Sequence, residues 1–466
     1  TGGGVIRNEN LGDDEVSLTA QYEYTPVAGQ VDGYSIGGRA QTWLGEAIRV
    51  GVTGMREETG NGTIDADQQM LGADIVLRHS ETTYLEAEYA QTKGPGFGRT
   101  LSTDGGLSLN DEASVGATRR VAEAWRVAAQ LDLADFNDTG LQGKIGAYYE
   151  NKEAGFSSLY YNVTVDQEAW GLYGEVTLSE RLTAGLLYDD IAEATGKKKR
   201  ELEAEASFQL DRYWEVSVGA KYSDLSTPGG LAKENGHRAD LGVQVTYSPS
   251  EAQSFYVFGQ ETVSLSGGRL SNDRAGVGAE VQLTHDIGLE GDVSYGTGGL
   301  GGLAAVTYQP TADEYYYLGY ELDPDRSLSG TSLVGTDRGS ILVGAKRRYD
   351  DLWSAYAENN YDMFGRRRSL TSTYGITYTP DTNWTVDAGL EMGVVNDPNA
   401  TDIDRKTFSV GVAYKDSDGF QAQMRGELRF DDSEDDTRDL NTYLLSGGAA
   451  YKLNPNWRFT ADIDAV

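Results

Sequence analysis

Apolar and polar residues alternate along this chain with a period of two, in runs of about ten residues. In Trp214 to Asp224 one side reads Trp214, Val216, Val218, Ala220, Tyr222, and the other Glu215, Ser217, Gly219, Lys221, Ser223. Trp384 to Val394 sets Trp384, Val386, Ala388, Leu390, Met392 against Thr385, Asp387, Gly389, Glu391. Ile287 to Tyr295 sets Ile287, Leu289, Val293, Tyr295 against Gly288, Glu290, Asp292, Ser294. Trp125 to Leu133 sets Trp125, Val127, Ala129, Leu131 against Arg126, Gln130, Asp132. A strand sends successive side chains to opposite sides, so each run is a strand with one apolar and one polar face. The runs exceed the roughly five or six residues of an ordinary globular strand, and their apolar faces begin or end in Trp or Tyr.

Turns follow the same rhythm. Short ones are read at Gly45-Glu46, His79-Ser80-Glu81, Val121-Ala122-Glu123, Ser179-Glu180, Asp211-Arg212 and Pro249-Ser250-Glu251. They continue at His285-Asp286, Pro310 to Asp313, Asp350-Asp351, Pro380 to Asn383, Asp416 to Asp418 and Asn454-Pro455-Asn456. Longer polar connections lie between them, at 58–67, 92–112, 225–237, 265–273, 323–338, 396–404 and 431–440. A soluble sandwich explains the alternation but not the long, aromatic-ended strands. A propeller needs shorter strands in four-stranded blades. Long strands with an apolar band between aromatic girdles, short turns on one side and long loops on the other describe a transmembrane barrel. The expected fold is therefore all-β: a transmembrane antiparallel up-and-down β-barrel of about 26 strands, roughly 22 to 28. The alternation of short and long connections requires residues 156–165 to form a strand of their own. Residues 1–15 read as a lead-in and 16–466 as a single barrel domain, cropped from a longer chain, because Thr1-Gly2-Gly3-Gly4 is no initiator.

Composition excludes other classes. With 73 acidic and 39 basic residues the net charge is −34, so a phosphate backbone is repelled and no nucleic-acid partner is expected. The absence of cysteine removes a disulfide scaffold. No run of about 18 apolar residues supplies a membrane helix. An aromatic content of 10% argues against disorder.

The turn-then-aromatic units TYTPDTNWTVDAG (377–389), QLTHDIGLEGDVSYG (282–296) and YKLNPNWRFTADI (451–463) resemble the Gram-negative outer-membrane β-barrel class. The size is similar to that of very wide barrels, such as the lipopolysaccharide-export barrel and the barrel ends of large surface or secretion proteins. The resemblance implies an outer-membrane location, with lipid and lipopolysaccharide as partners. It implies a pore or translocation conduit or, as the alternative, a structural anchor for a large envelope assembly.

The strand pattern assigns Arg126, Asp132, Glu215, Lys221, Glu290, Asp292, Asp387 and Glu391 to the lumen, and Val127, Leu131, Trp214, Val216, Val218, Leu289, Val293, Val386 and Leu390 to lipid. The lumen set is rich in carboxylates and predicts a wet, cation-favouring wall. About 26 strands enclose a bore of about 50 Å, too wide for wall side chains to fill. A plug, another domain or a partner protein is therefore expected inside, with loops 92–112 and 323–338 as candidates. No catalytic constellation, cofactor motif or metal spacing is legible, and His79, His237 and His285 are scattered. No enzymatic activity and no cofactor are expected. The acidic loops Asp431 to Asp436 and Asp397 to Asp404 are candidate Ca²⁺ sites, without EF-hand spacing. The basic clusters Lys197 to Arg200 and Arg366 to Arg368 are placed to meet lipopolysaccharide phosphates, with Lys346 to Arg348 on the opposite rim.

Overall fold

The computed structural model describes residues 33–59, 67–96, 100–101, 110–111, 121–136, 141–158, 162–297, 299–322, 339–362, 368–396, 401–416, 419–437, 439–454 and 457–465. Twenty-four strands, from Gly33–Leu44 to Trp457–Ala465, form one sheet in which every neighbour pair is antiparallel. The first strand pairs with the last, from Ser35↔Asp464 to Thr42↔Trp457, so the sheet closes on itself. A two-residue ribbon, Thr100–Leu101 with Asn110–Asp111, stands apart from it. Long alternating runs dictate this outcome: closure removes the edge strands that an open sheet of this size would expose. A wall of this strand number encloses a bore of about 50 Å.

The strand number lies inside the expected range, below its central value. The described residues of 156–165 form no barrel strand and close one isolated bridge, Ser157↔Asn162. Phe156 and Val163 instead pack with Ala122 and Ala124 in a small buried cluster. The expected turn at Val121-Ala122-Glu123 lies within strand Val121–Asp132. The turn that does connect this strand to Gln142–Lys152 begins with the 3-10 turn Leu133–Phe136. The expected barrel start near Val16, and residues 1–15, lie outside the described residues. Two connections on the long-loop side are short, with residues 194–197 and 297–298 between paired strands.

The short turns share one chemistry. Asp211, Asp350 and Asp381 each accept, at Oδ1, the backbone N–H groups two and three residues on. The third residue is Trp214, Trp353 or Trp384, the first of its strand. A short acceptor side chain that mimics a backbone turn thus sets where the strand starts and puts a Trp at its foot. There the indoles meet cross-strand tyrosines: Trp214 with Tyr247 at 4.6 Å, Trp353 with Tyr378 at 4.3 Å and Trp384 with Tyr414 at 4.8 Å between ring centroids. At the other end of the same face Trp125 meets Tyr149, and Trp170 meets Tyr188, both at 4.9 Å. From Trp214 to Tyr222 the strand climbs about 20 Å along the barrel axis, near the roughly 25 Å apolar band of an outer-membrane barrel.

Candidate functional site

Directly opposed residues on neighbouring strands share a face, so the register can be followed around the barrel. One line runs Asp74↔Glu88↔Arg126↔Glu150. Another runs Tyr148↔Gly171↔Asp189↔Glu201↔Ser223↔Arg238. Lower on the same face another line runs Thr246↔Tyr256↔Gly278↔Asp292↔Leu303. A further line runs Tyr317↔Gly344↔Glu358↔Thr373↔Glu391↔Thr407↔Arg429↔Thr442. By this register Arg126, Asp132, Glu215, Lys221, Glu290, Asp292, Asp387 and Glu391 share one face of the sheet. Val127, Leu131, Trp214, Val216, Val218, Leu289, Val293, Val386 and Leu390 share the other.

The two faces differ in crowding. On the polar face Arg238, Asp240 and Arg405 are 2%, 1% and 3% exposed. On the apolar face Val218 and Val293 are 49% and 50% exposed, although they are hydrophobic. Val127, Leu131, Trp214 and Leu289 are exposed as well, and Val216, Val386 and Leu390 half-buried.

The eight polar residues are spread around the wall and form no single site. Lys221 is buried and reaches Glu203 at 2.8 Å and Glu201 at 3.7 Å. Asp292 accepts a hydrogen bond from the Tyr256 hydroxyl at 2.6 Å. Arg126 stands 4.0 Å from Glu150 and lies over the Tyr148 ring. Glu215 accepts from the Ser217 hydroxyl at 3.4 Å, and Asp132 from the Ala134 N–H at 3.1 Å. Glu290 sits opposite Glu280, Asp387 opposite Gly411, and Glu391 opposite Thr407.

Three features of this face escaped the strand pattern. The first is an acidic stripe, Glu201, Glu203 and Glu205, on strand Lys198–Gln209. Its signal, glutamate at every second residue, stands openly in the sequence. The second is a pair of arginine–aspartate clusters built on buried aspartates. Arg405 holds Asp431 with two bonds of 2.6 and 2.9 Å, and Arg429 joins at 2.6 Å. Arg39 reaches Asp74 at 2.6 Å.

The third is a strap, residues 266–273, bent over the polar face at the long-loop end. Arg269 donates to Ser223 Oγ at 2.9 Å and to the Gly236 carbonyl at 3.3 Å. Arg238 donates to the Leu270 carbonyl at 3.4 Å and to Asp240 at 2.9 Å. Gln260 donates to the Asn272 carbonyl at 3.0 Å, and the Asn272 N–H to Thr262 Oγ1 at 2.7 Å. Asn272 is fully buried. Residues 153–158 bend over the same face elsewhere: the Ser157 N–H bonds Thr92 Oγ1 at 3.3 Å, and Phe156 packs on Ala122 and Ala124. The loops first considered as plugs, 92–112 and 323–338, lie mostly outside the described residues.

The charged loops are also accounted for in part. Asp431 is bound by arginine, while Asp435 accepts the hydroxyls of Thr401 and Thr437, each at 2.6 Å. Those hydrogen bonds hold the Asp435 carboxyl down at about 2. No group of three or more His, Cys, Asp or Glu suited to a metal occurs among the described residues. Lys199 pairs with Glu201 at 2.9 Å, Arg200 with Asp190 at 2.9 Å and Lys197 with Glu193 at 3.9 Å. Arg347 and Arg348 pair with Glu314 and Asp313. Arg366 and Arg367 lie outside the described residues.

No protein-family model matches the chain, and no curated protein does. Solved outer-membrane proteins are similar in strand course. The FrpB iron transporter from Neisseria meningitidis (F3-3 variant) is 9% identical, with a TM-score of 0.47 over 94% of this chain and 82% of that one. The siderophore receptor PirA from Pseudomonas aeruginosa is 9% identical, with a TM-score of 0.44 over 93% and 80%. The ferric-catecholate import receptor Fiu from E. coli K12 is 9% identical, with a TM-score of 0.40 over 93% and 82%.

Proposed function

We propose that the chain is an outer-membrane conduit of a Gram-negative bacterium, with its apolar face in lipid and its polar face lining a wet, net-acidic passage. The observation that supports this best is the predominantly polar, carboxylate-bearing face of a closed sheet. It carries Asp74, Glu88, Asp189, Glu201, Glu358 and Glu391 around the circumference, while the opposite face exposes Val, Leu and paired aromatics. Carboxylates left on a dry wall would each need a partner, because burying a lone charge is costly. Here Glu201, Glu203 and Glu205 lie two residues apart on one face; Lys199 and Lys221 offset part of that charge, and ions in a hydrated bore screen the rest. The strap 266–273 and the segment 153–158 lean into that bore and narrow its long-loop mouth. Long loops face outside and short turns the periplasm. The barrel domain extends over 16–466, and Arg126, Asp132, Glu215, Lys221, Glu290, Asp292, Asp387 and Glu391 belong to its inner wall.

The test is planar-bilayer recording of the reconstituted barrel in a salt gradient. Cation preference is expected, and it should weaken in Glu201→Gln with Glu203→Gln and Glu205→Gln. Anion selectivity of the parent would refute the acidic passage. A barrel that stays closed even after residues 266–273 are replaced by a short glycine link would favour the alternative, a non-conducting membrane anchor.

A further inference from the structure

The apolar face is not uniform. Along one line of the register it reads Ile145↔Gly174↔Leu186↔Ala204↔Ala220↔Leu241. One step toward the short turns Ala184 opposes Ala206. Where neighbouring strands raise Val and Leu, these positions drop to Gly and Ala, and the surface sinks between walls built by Leu131, Leu172, Leu178, Val218 and Leu241. The resulting groove measures about 920 Å³. That is within the roughly 300–1,000 Å³ of small-molecule sites. Its lining is almost wholly hydrocarbon, and the two residues around it with polar side chains, Tyr173 and Glu205, belong by register to the opposite face, so an apolar occupant gains by entering.

What lies above the groove identifies the occupant. Lys198, Arg200, Leu202, Ala204 and Ala206 alternate on one strand and share one face. Arg200 therefore stands about 10 Å above Ala204 along the barrel axis, the reach of a headgroup over its chain. Between them Leu202 is flanked by Tyr188 and Tyr222, side chains suited to the membrane interface. Arg200 is 49% exposed, bonds Asp190 through Nε and stands opposite Asp224 on the next strand, so its two terminal nitrogens are the ones left to a phosphate, in competition with that carboxylate. Lys198 is exposed, and no carboxylate pairs with it among the described residues. A cationic pair above a hydrocarbon trench fits an acylated lipid whose head carries phosphate.

We propose that this groove binds one phosphate-bearing, acylated lipid of the long-loop leaflet, its chain against Ala204 and Ala206 and its phosphate at Lys198 and Arg200. The proposal rests on the reading that the apolar face meets lipid. It does not need the barrel to conduct.

Native mass spectrometry of the purified whole chain, offered lipid A or the same lipid stripped of its phosphates, tests it. One retained lipid is expected, with about tenfold preference for the phosphorylated form. Lys198→Gln with Arg200→Gln should abolish the preference and keep the lipid. Ala204→Leu with Ala206→Leu should fill the trench and cut retention about tenfold while the remaining binding stays phosphate-selective. An unchanged heat-modifiable gel shift certifies that each variant folds. Equal retention by the filled variant would overturn the proposal. So would displacement of the lipid by inorganic phosphate alone, or a parent dimer that the filled variant dissolves, since a second copy would then own the groove. Quenching of Trp214 fluorescence by brominated lipid separates the layers. If quenching persists while lipid selectivity is absent, only the groove is refuted; if quenching is absent, the membrane reading falls with it.

Discussion

Replacing Gly278 by alanine should destabilise the barrel through a residue on a different strand. The Cβ of such an alanine would stand 2.1 Å from Tyr256 Cζ and 2.2 Å from its hydroxyl oxygen. Carbon atoms pack best at about 3.5–4.0 Å, so the ring has to leave. It then loses its 2.6 Å bond to Asp292, two strands away. A hydrogen bond to a charged group contributes about 1.5–3 kcal/mol net, and water in the bore recovers part of it, so a cost of about 1.5–2 kcal/mol is expected. The same ring-over-glycine bridge recurs as Tyr148–Gly171–Asp189 and Tyr317–Gly344–Glu358. In a Tyr256→Ser background no ring occupies the space, and Gly278→Ala should be neutral or stabilise by about 0.5 kcal/mol, as alanine does over glycine in a strand. The coupling between the two substitutions should be about 2 kcal/mol. Gly259→Ala is the control, since nothing lies within 4 Å of its Cβ position. Reversible urea unfolding in lipid vesicles, followed by tryptophan fluorescence, measures all four. Equal costs for Gly278→Ala in both backgrounds would refute the reasoning.

Arginine at Val218 or Leu390 should cost about 2–4 kcal/mol if the residue sits near the bilayer midplane, measured by the same unfolding assay; unchanged stability for both would reverse the face assignment. The Thr401–Asp435–Thr437 tie should depend on pH: with its carboxyl held at about 2, below the usual 3.8, it is fully present above 3.8 and lost as pH falls through about 2. Pepsin should therefore cut the 434–437 loop more readily below that point, and Asp435→Asn should remove the difference. Arg269→Ala should loosen the strap and speed amide hydrogen exchange over 266–273, because the guanidinium bonds Ser223 Oγ at 2.9 Å; unchanged exchange there would dismiss the strap. Protease on whole cells should reach 225–237 and 431–440, whereas labelling at Asp381 or Asn454 would invert the topology.

The fold was legible because its physical cause is local. Period-two alternation needs no partner to be seen, and the Asp-x-x-Trp turns announce their own strand starts at Asp211, Asp350 and Asp381. The misreadings came where local signals compete. At Val121-Ala122-Glu123 a glutamate after two small steps imitates a turn, yet Ala122 and Ala124 are strand residues buried under Phe156 and Val163. In 156–165 the residues have strong strand propensity, but Ser157 and Asn162 close on each other, and Phe156 and Val163 pack over the wall instead of extending it. Strand propensity describes fitness for a pleated surface, and tertiary packing decides whether a segment takes that place.

The candidate site was legible only to the depth of one strand. Alternation separates Lys221 from Val218, but whether Lys221 faces an aspartate, a glutamate or a serine depends on register with two other strands. Register is fixed at the turns and shifted by bulges such as the one at Ala239/Asp240, where Arg238 pairs with Asp240 on its own strand rather than across the ladder. A wall read strand by strand therefore looks like a row of loose charges. Once the register is set, Asp74, Asp240 and Asp431 have arginines, while the stripe Glu201, Glu203 and Glu205 has Lys199 and Lys221 beside it. Selectivity of an open barrel should then be governed by that stripe more than by Asp387 and Glu391, whose neighbour strand carries Arg405. Removing the stripe's three carboxylates should shift the reversal potential further than Asp387→Asn with Glu391→Gln. The opposite order would mean that register, and not composition, has been misjudged on this wall.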